Sequence, residues 1–117
     1  MEYKIIESEY RFLTILWENE PVESPKLVKL CEEALGWKKS TTYTVIKNLS
    51  LKGIIENVNT IVRSVVPREE IVKQESEHFL ERTFNGDVMG LFAHFLKDRK
   101  LSREEAERIR KMIEEEK

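Results

Sequence analysis

The chain has 117 residues, 40% of them apolar and 36% charged, with a formal net charge of -2. That length admits one domain, or a small domain with an appendage, and rules out a second large one. The mixed-sign charge describes a folded protein and not a disordered acidic or basic tail, and no run of about 18 apolar residues is present to cross a membrane.

The N-terminal MEYKIIESEY lacks the basic start and apolar core of a signal peptide, so a cytoplasmic location with no membrane partner is expected. The single cysteine, Cys31, can form no internal disulfide and offers no paired thiolates to zinc. It is expected as a small buried hydrophobe, and no metal or cofactor is expected anywhere.

In chain order, Ser8 precedes EYRFLTILWENE, where Tyr10, Leu13, Leu16 and Trp17 recur near the helical period and predict a helix from about Ser8 to Asn19. Pro21 breaks it. Ser24 followed by Pro25 is an N-cap and first-turn pairing that opens a second helix. Its inward residues are Leu27, Val28, Leu30, Cys31 and Leu35, and Gly36 ends it.

The stretch KKSTTYTVIKNLSLKG, Lys38 to Gly53, has the β-branched and aromatic composition of a strand. Read as a strand, neither face is cleanly apolar. Read at 3.6 residues per turn, Thr42, Val45, Ile46 and Leu49 fall on one side, with Gly53 placed to stop a helix. The other side collects Ser40, Thr41, Tyr43, Thr44, Lys47, Asn48 and Leu51. Short hydroxyls there let a helix backbone approach a nucleic-acid groove and still hydrogen-bond to base edges or phosphates. From Ala34 to Ile55 there is no Asp or Glu, while Lys38, Lys39, Lys47 and Lys52 give the stretch a charge of +4. Such a patch attracts phosphates even on a chain of near-zero net charge.

IIENV and IVRSVV around Asn59-Thr60, ended by Pro67, read as a β-hairpin. Short helices followed by a hairpin form a winged helix-turn-helix over residues 1–67. The fold class is therefore mainly α with a small β hairpin, the third helix being the reader and the hairpin the wing. Residues 68–117 read as three amphipathic helices. Val72, Phe79, Leu80 and Phe84 line the first, up to Asn85-Gly86. Asp87 can cap the second, which carries Val88, Leu91, Phe92, Phe95 and Leu96. A capping box from Ser102 to Glu105 opens the third, with Ala106, Ile109, Met112 and Ile113 inward. So short a segment cannot bury those aromatics alone. A homodimer is expected, held by Val72, Phe79, Leu80, Phe84, Leu91, Phe92, Phe95, Leu96, Ile109 and Ile113.

Catalysis is not expected. A hydrolytic triad needs a nucleophile with a base in reach, and only His78 and His94 are available, with no Gly-rich turn presenting a serine. Glu75 and His78 make one Glu-x-x-His step, but a di-iron bundle needs a second such pair and two further glutamates.

SEYRFLTILW, GWKKSTTYTVIKNLSLKG and ESEHFLERTFNGDVMGLFAHFLKDRKLSREEAERIRKMI together resemble the penicillinase-repressor (BlaI/MecI-type) regulators of bacteria over nearly the whole chain. The FL, F-x-G, F-L and L-S-x-E-E spacing in the last stretch is the most specific part of the match. The resemblance implies a dimeric transcriptional repressor on a palindromic double-stranded DNA operator, regulating β-lactam resistance or a related stress response. Trp37 matches the tryptophan before the reading helix, Thr41 and Thr44 match threonines of its DNA-facing side, and Lys52-Gly53 match its end.

Three departures stand out. Lys38-Lys39 occupies the place of Ser-Pro, so the N-cap hydroxyl is missing, and either Lys38 takes the cap or Ser40 caps a shorter helix. The wing tip is Asn59-Thr60, leaving Arg63 as the wing's only cation. The Asn-Phe bond that a sensor protease cuts in resistance repressors is matched by His94-Phe95, which makes this step the candidate for inducing cleavage. The cysteine-rich end of the copper-responsive branch has no counterpart in IRKMIEEEK. On this reading Thr41 and Thr44, with Tyr43 or Ser40, meet base edges, and Lys38, Lys39, Lys47 and Arg63 meet phosphates. The alternative is a winged-helix protein-protein interaction module that does not bind DNA.

Overall fold

The computed structural model describes residues 2–97 and 100–116. It divides into two compact units, Met1–Gln74 and Glu75–Lys117. The break falls beyond Pro67, inside a helix.

The first unit contains α1 (Glu7–Asn19), β1 (Val22–Glu23), α2 (Ser24–Leu35), α3 (Lys39–Leu51), β2 (Ile55–Val58), β3 (Ile61–Ser64) and the first turns of α4 (Arg68–Phe84). The strands form one antiparallel sheet in the order β1-β3-β2. The expected hairpin is present, with Val58 opposite Ile61 and Ile55 opposite Ser64. Asn59 and Thr60 both have positive φ, 51° and 67°, as a two-residue turn that follows the strand twist requires. The wing therefore belongs to a mainly helical fold with a small sheet, as the sequence predicts.

Three local expectations are corrected. β1, absent from the sequence reading, adds a third strand: Val22 pairs with Val62 and Glu23 with Ile61. Ser24 consequently lies inside α2, because Glu23 stays extended in the sheet and serves as the cap residue, while the Ser24 N–H donates to the Thr60 carbonyl at 2.8 Å. Ser8 likewise lies inside α1. There the Glu9 carboxylate reaches back to the Ile6 N–H at 3.1 Å, which moves the helix start ahead of Ser8.

The core of this unit is built from every element. Phe12, Leu13 and Leu16 of α1, Leu27 and Cys31 of α2, Leu49 of α3, Val62 of β3 and Ile71 of α4 are all 0% exposed. Thr42, Val45 and Ile46 complete the buried side of α3, so helical spacing overrides strand propensity there because tertiary burial rewards it. The end of α3 is a Schellman turn. Gly53 sits at φ 77°, its N–H donates to Ser50 O and the Ile54 N–H to Leu49 O, each at 3.0 Å. Leu49 and Ile54 then meet in the core.

The second unit holds the rest of α4, α5 (Val88–Lys97) and α6 (Arg103–Glu115). Asn85 and Gly86, at φ 50° and 79°, turn the chain out of α4. The expected Ser102–Glu105 capping box is formed, the Ser102 hydroxyl accepting from the Glu105 N–H at 3.0 Å and the Glu105 carboxylate from the Ser102 N–H at 3.1 Å. Neither α5 nor α6 contains a buried residue. Among the described residues no helix is long and apolar enough to cross a membrane.

Candidate nucleic-acid interface

α3 is amphipathic in an unusual way: its inner side is apolar, and its outer side is hydroxylated and cationic with no carboxylate. Lys38, Lys39, Ser40, Thr41, Thr44, Lys47, Asn48 and Leu51 are exposed and Tyr43 is half-buried. Lys38 occupies the N-cap, with extended backbone and no side-chain bond to the helix. The first-turn N–H groups of α3 thus lack a side-chain acceptor, and the missing hydroxyl costs about 1 kcal/mol. An anion placed there would meet free N–H groups and the positive end of the helix dipole.

Two side chains on this surface have settled partners. The Lys39 ammonium lies 5.9 Å from the Tyr43 ring centroid, a cation–π contact one turn along the helix. Thr44 donates its hydroxyl to the Ser40 carbonyl at 2.9 Å. A shallow groove runs beside them, lined by Ser40, Thr41, Thr44, Val45 and Asn48 of α3 and by Ile6, Ser8 and Glu9 at the start of α1. The sequence placed Asn48 on the outer face without giving it a role. The structure brings it into the same groove as the hydroxyls.

Lys52 does not add to the outward charge. Its Nζ lies 2.6 Å from Glu9 Oε1 and 2.9 Å from the Lys4 carbonyl, and Glu9 is only 2% exposed. The pair ties the end of α3 to the start of α1. Three outward lysines remain: Lys38, Lys39 and Lys47.

Arg63 projects from β3 and is exposed, but Glu56 stands opposite it across the hairpin at 3.6 Å. The wing's cation is thus partly neutralised in place. Glu20 holds the base of the sheet, accepting from the Ser64 N–H at 2.6 Å and from its hydroxyl at 2.9 Å.

Cys31 is fully buried, and burial pushes its thiol pKa up, with the neighbouring Thr42 hydroxyl acting in the opposite direction. That hydroxyl has no hydrogen-bond partner of good geometry, so its effect on the thiol is a weak one. Tyr3, hydrogen-bonded to Glu70 at 3.3 Å, is likewise raised, first by desolvation and then by the Glu70 charge. Among the described residues no group of His, Cys, Asp and Glu is placed to hold a metal ion.

In the second unit Phe79, Phe92, Phe95, Leu96 and Ile113 stay 36% to 59% exposed, while Leu80, Phe84, Leu91 and Ile109 are half-buried. Val72, also half-buried, lies on the turns of α4 that belong to the first unit. His94 packs edge-on against Phe84 and Phe95, at 5.9 and 5.8 Å between ring centroids. The His94-Phe95 bond lies inside α5 and both side chains are exposed.

Comparison with known proteins agrees with this arrangement. The penicillinase repressor family model matches residues 5–115. The methicillin resistance regulatory protein MecI of Staphylococcus aureus (strain N315) is 24% identical over 115 residues, covering 95% of this chain and 94% of that protein. The penicillinase repressor of Bacillus licheniformis is 21% identical over 118 residues, covering 97% and 92%, and that of Staphylococcus aureus is 22% identical over 116 residues, covering 96% and 92%. A match of that extent, on a three-helix head with a hairpin wing and a helical region beyond it, makes this chain a member of the penicillinase repressor family.

Proposed function

We propose that the chain is a homodimeric, sequence-specific DNA-binding transcriptional repressor that places α3 of each subunit in a major groove of a palindromic operator. The observation that carries this reading is the composition of α3: Val45, Ile46 and Leu49 are consumed by the core, and what is left outside is hydroxyls, an amide, a ring, the single aliphatic Leu51 and lysines, with no carboxylate. Thr41 and Thr44, with Tyr43 or Ser40, meet base edges. Lys38, Lys39 and Lys47 meet phosphates, and Arg63 adds a weaker contact from the wing because Glu56 competes for it. The relatives' names, penicillinase repressor and methicillin resistance regulatory protein, extend the proposal to genes of β-lactam resistance or a related stress response.

The second unit supplies the dimer. Large apolar side chains at a third to more than half exposure, spread over α4, α5 and α6, are a liability in a lone chain and become a core when a second copy covers them. A sensor protease that releases repression at His94-Phe95 would cut within α5. Proteases require extended backbone, so cleavage there needs local opening of that helix first.

A gel shift on the DNA upstream of the gene, repeated across salt, tests the reading. Sequence-dependent binding that weakens steeply with salt supports it, since each neutralised phosphate releases counterions. Absence of binding would leave the protein-protein module as the account of α3. Light scattering at micromolar concentration checks the stoichiometry independently, and a monomer would end the dimer claim.

A further inference from the structure

The hydrogen-bonding state of the α3 face separates side chains that the sequence treats alike. Thr44 gives its hydroxyl proton to the Ser40 carbonyl, so this exposed side chain has a methyl group and lone pairs to offer and no free donor. Asn48 is exposed, lines the same groove, and makes no side-chain hydrogen bond to any described residue. Its carboxamide offers a donor and an acceptor side by side. Leu51, at 76% exposure, is an apolar side chain that the core does not use.

These three residues form one stripe. Asn48 lies four residues after Thr44 and three before Leu51, about one helical turn in each direction. With a rise of about 1.5 Å per residue the offsets along the axis are about 6 Å and 4.5 Å, one to two base steps of about 3.4 Å. In a major groove a carboxamide is the complement of the adenine N7 acceptor and N6 amino donor, and methyl-bearing side chains meet the thymine C5-methyl group. The hydroxyls of Ser40 and Thr41 discriminate less, since a hydroxyl can turn to donate or accept.

We propose that Asn48 is a specificity-determining residue that reads one adenine in each half-site, flanked by thymine methyl contacts from Thr44 and Leu51. The proposal rests on the DNA-reading role of α3 and adds the base class that the helix selects.

Selection of binding sites from a randomised duplex library by the full-length wild type and by Asn48→Ala tests it. The wild type is expected to enrich sites with a fixed adenine in each half. The variant should lose the preference at that base pair alone and bind the wild-type site about tenfold or more weakly. Replacing that adenine by 7-deazaadenine, which removes the N7 acceptor, should weaken the wild type and leave Asn48→Ala unchanged. This arm uses the unaltered protein, so it does not depend on how the variant folds. Enrichment by the wild type with the same preferences retained in Asn48→Ala, or indifference of the wild type to 7-deazaadenine, overturns the Asn48 assignment and leaves the reading of α3 standing. No enrichment by the wild type overturns both.

Discussion

The two units of this chain solve opposite problems with similar residues. In Met1–Gln74, eight hydrophobic residues drawn from five elements are sealed at 0% exposure, and Glu9, Glu20 and Thr60 tie backbone N–H groups at the start of α1, the end of β3 and the start of α2. In Glu75–Lys117, Phe79, Phe92, Phe95 and Leu96 remain at 36% exposure or more, and neither α5 nor α6 has a buried residue. The difference is one of connectivity. A sheet and crossing helices let distant segments cover one another, whereas short amphipathic helices expose one stripe each unless a partner covers it. The first unit buries its apolar side chains within itself, and the proposed dimer would cover those of the second.

Breaking the contrast from the second unit should have the largest effect on DNA binding. Phe92→Glu places a charge in the proposed dimer core and should yield a monomer on light scattering. Operator affinity should fall by about 10²- to 10⁴-fold because two half-sites are no longer linked. Leu49→Ala attacks the first unit instead. It should cost about 2–5 kcal/mol in denaturant unfolding while leaving the oligomeric state intact. Lys52→Ala strands the buried Glu9 carboxylate. Lys52 itself is a third exposed, so the loss should be about 2 kcal/mol, below that of a fully buried pair. The fall should appear in the unfolding midpoint.

Smaller changes sharpen the comparison. Lys47→Ala should leave the fold untouched, weaken binding to all sequences and reduce the salt slope by about 1, measured by titrations across salt. The smallest effect concerns pH. Cys31 has its thiol pKa raised above the ordinary 9.0 by burial, so the folded state holds the proton more tightly than the unfolded one. Stability from this group is fully present below pH 9 and declines as pH rises past it. Thermal unfolding followed from pH 7 upward should show the decline, and Cys31→Ala should make it shallower.

How much of this was legible in the sequence depends on the range of the interaction. α3 was legible despite its strand-like composition because Thr42, Val45, Ile46 and Leu49 carry the helical period in four positions. The Asn59-Thr60 turn and the Ser102–Glu105 capping box were legible because each is a local pattern with a local cause. β1 was not, since a two-residue strand has no periodicity and its pairing with β3 lies far along the chain. Nor was the fate of Lys52, whose partner Glu9 sits in a polar stretch that gives no sign of burial. The Arg63–Glu56 pair was hidden for a related reason: the sequence counted the wing's cations, and only the strand register sets the carboxylate opposite the guanidinium. Asn48 was visible on the outer face, but its place in the groove and the lack of a side-chain hydrogen bond on its carboxamide depend on side-chain positions that spacing does not set.

The most direct test of the central claim is a hydroxyl-radical footprint of the full-length protein on the DNA upstream of its gene. The account predicts two symmetric protected patches on one face of the duplex, with centres about one helical turn or a multiple of it apart. It also predicts that both patches disappear together in Phe92→Glu. A single unsymmetric patch, or protection unchanged by that substitution, would contradict a dimer reading DNA through α3.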